Sequence, residues 1–156
     1  MSEQFIVFKL SGEEFGVSIS KVQEIVNVQA VTPIPHSEFF IKGIINLRGV
    51  IVPIVDLGKK FGRSREAVPD GEAANEKIII LALAAQKIGV LVDDVSEILT
   101  VDESALEKPP ILIARQLNTA FIGQVAKVGE RLILILDLDK TFSEEEMSHF
   151  IEASAL

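Results

Sequence analysis

The sequence predicts a mainly β protein: two tandem five-stranded β-barrels around a shared hydrophobic seam, with short helices and a C-terminal helix. Three observations predict it. The chain repeats itself, each copy is dominated by short alternating or β-branched segments, and turn residues separate those segments at close intervals. Phe15-Gly-Val-Ser-Ile-Ser-Lys-Val-Gln-Glu-Ile25 runs in step with Ile88-Gly-Val-Leu-Val-Asp-Asp-Val-Ser-Glu-Ile98 at an offset of 73, with Gly, Val, Val, Glu and Ile identical. Gly43 and Gly49 meet Gly123 and Gly129 at an offset of 80, and Ile54-Val-Asp-Leu57 meets Ile135-Leu-Asp-Leu138 at 81. One domain of 156 residues is therefore expected as two pseudo-repeated subdomains, about 1–75 and 76–156. Five strands per copy leave open edges if they lie flat, and closure into a small barrel removes them. A barrel of roughly 70 residues buries little core alone, so an apolar seam between the two is expected. Exchange of strands between the copies is left open by this reasoning.

Each element has its own signal. Residues 5 to 10 alternate, with Ile6, Phe8 and Leu10 on one face, and Ser11-Gly12-Glu13-Glu14 supplies a turn. Phe15, Val17 and Ile19 form the next half-buried strand. Ser20 followed by Gln23 reads as a capping box opening a short helix over Lys21 to Val26, and Asp93 is placed as the matching N-cap in the second copy. Pro33-Ile34-Pro35 breaks that helix and starts an extended connection. Residues 44 to 47 and 50 to 57 form a hairpin about Arg48-Gly49. The stretch 62–76 is polar and turn-rich, an exposed loop between the copies, with Lys59, Lys60, Arg63 and Arg65 forming a basic, solvated start. Residues 77 to 83, 88 to 92, 121 to 128 and 131 to 138 repeat the plan, and Asp137 ends its strand in register with Asp56. Ser143 followed by Glu144, Glu145 and Glu146 marks the N-terminus of a last helix, with Met147, Phe150 and Ile151 as its buried stripe.

Composition narrows the function. Apolar residues make up 48% of the chain, enough for a folded core. The net charge of −8 disfavours nucleic acid and anionic lipid, which carry the same sign. Absence of cysteine removes disulfides, thiolate metal sites and thiol nucleophiles together. The N-terminus carries no secretion signal, and no apolar run approaches the roughly 20 residues that cross a bilayer. A cytoplasmic protein without membrane insertion is expected. Starting at Met1 and closing on a capped helix, the chain reads as a free-standing module.

Catalytic chemistry is not visible. His36 lies beside a Pro-rich turn and His149 in the acidic last helix, so neither joins a metal-ligating or triad pattern. Asp93-Asp94 and Asp137-Leu138-Asp139 are acidic pairs whose plain reading is capping and strand termination rather than general acid–base work. Phosphate-cradling glycine loops are absent, as are Trp and Tyr. No enzyme, no cofactor and no metal are expected; the alternative class is a small-molecule-binding or catalytic double barrel with its site between the barrels.

The run Gly43-Ile-Ile-Asn-Leu-Arg-Gly-Val-Ile-Val-Pro-Ile-Val-Asp-Leu57 sets one arginine at the tip of an apolar hairpin. Either Gly49 supplies a positive φ and Arg48 points into water, or Arg48 marks the rim of an apolar contact surface. This run, with Phe15 to Ile25, Gly89 to Asp93, Arg131 to Leu138 and the Ser143-Glu-Glu-Glu-Met helix, resembles the CheW-like chemotaxis coupling proteins over essentially the whole chain. The resemblance implies two SH3-like barrels and a non-enzymatic adaptor. Such an adaptor joins the helical hairpin tip of membrane chemoreceptors to the regulatory domain of the CheA histidine kinase in arrays at the membrane. It implies receptor-binding positions at Val22, Glu24, Ile44, Asn46, Arg48 and Val50, with Glu24 and Arg48 matching an opposite-charge pair. It places kinase binding near Ile41, Gly43 and Leu57. Related roles sharing the fold are the coupling scaffold of another chemosensory pathway, the kinase's own regulatory domain, and coupling proteins fused to a receiver domain. No ATP-binding segment or receiver phosphoacceptor is present to favour the last two.

Overall fold

The computed structural model describes residues 1–35, 37–62, 75–83, 86–108 and 121–155. Eleven strands are found among them. In the first repeat these are β1 (Ser2–Leu10), β2 (Glu13–Ser18), β3 (Val22–Asn27), β4 (Ile41–Leu47) and β5 (Val50–Asp56), followed by helix α1 (Leu57–Lys60). The second repeat has β6 (Lys77–Leu83), β7 (Gln86–Val92), β8 (Asp94–Asp102), β9 (Leu106–Glu107), β10 (Ile122–Val128) and β11 (Arg131–Leu136), then α2 (Leu138–Thr141) and α3 (Glu144–Ser154).

The strands form two sheets, ordered β3-β6-β7-β5-β4 and β8-β1-β2-β11-β10-β9. The first hairpin of each repeat thus lies in the sheet of the other. Each traded hairpin meets its host on two sides, antiparallel at β1 with β8 and β6 with β3, and parallel at β7 with β5, Ile54 opposite Gly89, and at β2 with β11, Ile135 opposite Gly16. Both glycines sit at close approaches, the tighter one at Gly89. A Cβ on Gly89 would sit 2.5 Å from Ile54 Cδ1, and one on Gly16 would sit 2.8 Å from Ile135 Cδ1.

Two faces of burial follow from the exchange. Phe5 and Val7 of β1 fill one barrel with Ile133 and Ile135, while Ile6, Phe8 and Leu10 face the seam. On β6, Ile78 and Ile80 fill the other barrel, and Ile79, Leu81 and Leu83 face the seam. Continuous apolar runs such as Ile78-Ile79-Ile80-Leu81 are the mark of strands covered on both sides. The seam also holds a file of rings, Phe8 to Phe15 at 6.0 Å, Phe15 to Phe61 at 5.9 Å, and Phe61 stacked on Phe121 at 3.9 Å. The expected two-barrel, SH3-like architecture about an apolar seam is what the structure shows.

Three local expectations are corrected. Residues 22–27 are strand β3, not helix: Val22, Glu24 and Val26 alternate with exposed Gln23, Ile25 and Asn27, and the segment ladders onto β6. The Ser20 hydroxyl bonds Ser18 Oγ at 2.9 Å instead of capping, and only a single 3-10 turn, Ile19–Lys21, survives of the predicted helix. A tertiary strand partner overrides the local capping signal. Asp93 likewise caps no helix. It accepts from the Ser11 N–H at 2.7 Å, tying the tip of the β1–β2 hairpin to the start of β8. On α3 the capping box forms as expected, Ser143 with Glu146. Its buried residues are Phe150 and Ala153 with Met147 half-buried, and Ile151 faces solvent.

Asp56 at the end of β5 and Asp137 just after β11 hold matching positions, and each also caps the short helix that follows. Their backbone N–H groups donate to Phe40 and Phe121 carbonyls at 2.8 and 2.7 Å. Lys60 is not solvated; its ammonium lies 4.2 Å from the Phe40 ring centroid and 2.6 Å from Glu146. Arg63, Arg65 and most of the 62–76 loop lie outside the described residues, as does His36.

Candidate functional site: the β4–β5 hairpin and the strand facing it

β4 and β5 turn about two residues, Arg48 (φ 51°) and Gly49 (φ 88°). Positive φ at both central positions is the hairpin turn whose twist suits the flanking strands, and Asn-Gly is its preferred sequence. Asn46 supports it through its Oδ1, which accepts from the Gly49 N–H at 2.7 Å. Gly49 fits the turn without strain, but arginine does not. A left-handed conformation costs an ordinary residue about 1–2 kcal/mol. Arg48 is held there while its side chain stays 67% exposed and bonded to Glu24 of β3.

β3 and β4 are the two ends of the five-stranded sheet. The Arg48–Glu24 bond therefore ties one edge of that barrel to the other. The second barrel uses the matching glutamate differently. Glu97, the repeat partner of Glu24, receives Arg131 Nη2 at 2.5 Å, and Arg131 also grips Glu14 through Nη2 at 2.8 Å and Nε at 3.1 Å. The Arg131 hydrogen bonds hold the Glu14 carboxyl below its usual range and push the guanidinium's own pKa up. Arg131 does this from strand β11, outside the positive-φ residues. Arg131 reaches Glu97 of edge strand β8 from an interior strand of its sheet, so it braces that barrel without joining its two edges and without a left-handed backbone.

Among the receptor-side candidates the structure brings Glu24 to Arg48 at the hairpin tip. Asn46, Arg48 and Val50 crown the hairpin, half-buried Ile44 lies two residues below Asn46, and Glu24 reaches Arg48 from β3. Val22 stands two residues before Glu24 and packs onto the seam cluster. The kinase-side candidates lie at the other end of β4. Ile41 is half-buried against the seam cluster. Gly43 occupies a bulge at φ 147°, where a Cβ would come within 2.1 Å of the Thr32 carbonyl oxygen. Leu57 is inside the seam core, so its side chain offers no surface in the free chain. Six strand steps of about 3.3 Å put roughly 20 Å between Ile41 and the hairpin tip.

Sequence reasoning missed the Glu14–Arg131–Glu97 cluster, although the Glu24/Glu97 identity in the repeat was its signal. Among the described residues, no group of three or more His, Asp or Glu could hold a metal ion. His149 bonds Glu38 through Nδ1, which raises the imidazole pKa. A cleft of about 290 Å³ lies beside Lys21, Asp137 and Asp139, but Asp137 is already committed to capping α2. No helix among the described residues is long and apolar enough to cross a membrane.

Comparison with known proteins agrees with this architecture. A family model described as the CheW-like domain matches residues 4–146. The chain is 36% identical over 148 residues to the chemotaxis protein CheW of Klebsiella aerogenes, covering 95% of this chain and 86% of that one. It is 34% identical over 144 residues to CheW of Bacillus subtilis, covering 92% and 88%. The crystal structure of the scaffolding protein TtCheW from Thermoanaerobacter tengcongensis superposes with a TM-score of 0.81 at 38% identity, over 92% of this chain and 94% of that one. The chain belongs to the CheW-like family.

Proposed function

We propose that this protein is a non-catalytic adaptor that couples chemoreceptors to the CheA histidine kinase in chemotaxis arrays at the membrane. The observation that carries the site assignment is Arg48: a strained left-handed backbone, held at an exposed tip, beside a glutamate on the facing barrel edge. The matching β10–β11 turn of the second barrel confines its positive φ to Gly129, so the hairpin itself does not demand the strain at Arg48, and such strain is what a binding function would maintain. Val22, Ile44 and Val50 supply apolar area and Glu24, Asn46 and Arg48 fix polarity, a combination suited to the packed face of a helical hairpin. At the other end of β4, half-buried Ile41 meets the kinase, with Gly43 shaping the backbone beside it and Leu57 supporting it from the seam core.

One rigid strand carrying both contacts explains coupling in physical terms. A shift imposed at the hairpin tip is delivered to the kinase side through a pinned ladder rather than a flexible link. Micromolar contacts suffice when they repeat through an array. Titration of the purified chain with a chemoreceptor cytoplasmic fragment, and separately with CheA, tests this. Arg48→Ala should lose receptor binding and retain the fold and kinase binding. Unchanged receptor binding would overturn the assignment.

A further inference from the structure

Of the nine phenylalanines, all among the described residues, Phe39 alone is exposed, at 73%. The fold does not ask for it. Its neighbour Phe40 has a repeat counterpart in Phe121, and both offer carbonyls to the N–H of a capping aspartate. The residue matching Phe39 at the same offset is Ala120. The second repeat builds its barrel without an aromatic there.

The turn that displays Phe39 is held at several points. Ser37 Oγ donates to the Ile34 carbonyl at 2.9 Å, and the Ile41 N–H donates to the Glu38 carbonyl at 3.0 Å. The Glu38 carboxylate bonds His149 of α3. Phe39 itself rests edge-to-face on Phe40, ring centroids 5.4 Å apart at 85°, and Phe40 is buried beneath Lys60. An exposed aromatic fixed this way has already lost the freedom that binding would otherwise take from it.

Building on the coupling reading above, we propose that Phe39 is an aromatic anchor for the kinase, inserting into an apolar pocket of its regulatory domain. Its position selects that partner. Phe39 stands two residues before Ile41, at the end of β4 away from Arg48. A second copy of this chain is a poor occupant, because each copy carries a net charge of −8.

The test is calorimetric titration of the full-length chain with intact CheA and with a chemoreceptor cytoplasmic fragment, using wild type, Phe39→Ala and Phe39→Leu. Phe39→Ala restores the residue of the second repeat and should leave thermal unfolding unchanged. Kinase binding should weaken at least tenfold in Phe39→Ala and less in Phe39→Leu, with receptor binding within twofold of wild type. Wild-type kinase affinity in Phe39→Ala would overturn the anchor and leave the coupling reading standing. Loss confined to the receptor, or a self-association of wild type that Phe39→Ala abolishes, would also overturn it. A wild type that binds neither partner would remove the coupling reading and the anchor together.

Discussion

Replacing Arg48 with asparagine should separate stability from binding. In wild type the left-handed backbone at position 48 costs about 1–2 kcal/mol, and the bond to Glu24 returns only part of it. With side chains 67% and 28% exposed, that pair is worth about 0.2–1 kcal/mol at ordinary salt. Asparagine tolerates the left-handed region and creates the Asn-Gly turn, recovering roughly 0.5–1 kcal/mol while giving up the ion pair. Arg48→Asn should therefore match or slightly exceed wild-type stability. Arg48→Ala keeps the strain, loses the pair and falls below it. The two variants should differ by about 0.5–1 kcal/mol, or roughly 1–4 °C in Tm for a chain of this size. Urea unfolding with unchanged m reads the difference, and calorimetry with a receptor fragment reads binding. Both variants should lose about 30-fold or more in receptor affinity if Arg48 is a contact hot spot of about 2 kcal/mol. An Arg48→Asn protein less stable than Arg48→Ala would refute the strain argument, and one that binds receptor normally would refute the site.

Two further predictions concern the scaffold. Gly89→Ala should cost about 1–3 kcal/mol by overpacking, since its Cβ would lie 2.5 Å from Ile54 Cδ1 and 2.9 Å from Ile78 Cγ2 in a sealed core. Adding Ile54→Val removes the offending methyl, so a double-mutant cycle in urea should show recovery; strict additivity would contradict the close approach. The His149–Glu38 contact should make stability depend on pH. The bond to Glu38 raises the folded imidazole pKa, with Glu145 and Glu152 adding to the effect. Its contribution is then complete below the unfolded value of about 6.5 and is lost as pH rises through the raised folded value. Unfolding curves for wild type against His149→Asn should converge on that rise, and a constant gap across it would exclude the contact as the cause.

What was legible in the sequence follows from what is repeated. The offset between Phe15–Ile25 and Ile88–Ile98 exposed two barrels because each repeat carries its own strands, turns and capping aspartate. The trade of β1–β2 for β6–β7 was not legible. Gly16 and Gly89 are the same residue in the same local context whichever barrel receives them; only the parallel pairing shows why both are glycine. The helix expected at 21–26 failed because Ser20 and Gln23 are a sound local cap signal that β6 outcompetes with a full ladder. At the candidate site, the motif around Arg48 pointed to the hairpin, but Arg48's own positive φ is a property of the folded turn. Phe39 passed unnoticed because a second aromatic beside Phe40 looks like core until the barrel shows one ring inward and the other outward.

The most direct test of the coupling account is whether one copy of this chain holds both partners at once. Sedimentation velocity on a mixture of the chain, CheA and a chemoreceptor cytoplasmic fragment measures it. The account predicts a ternary complex, reduced to the binary kinase complex by Arg48→Ala. Two mutually exclusive binary complexes, or a ternary complex untouched by Arg48→Ala, would contradict it.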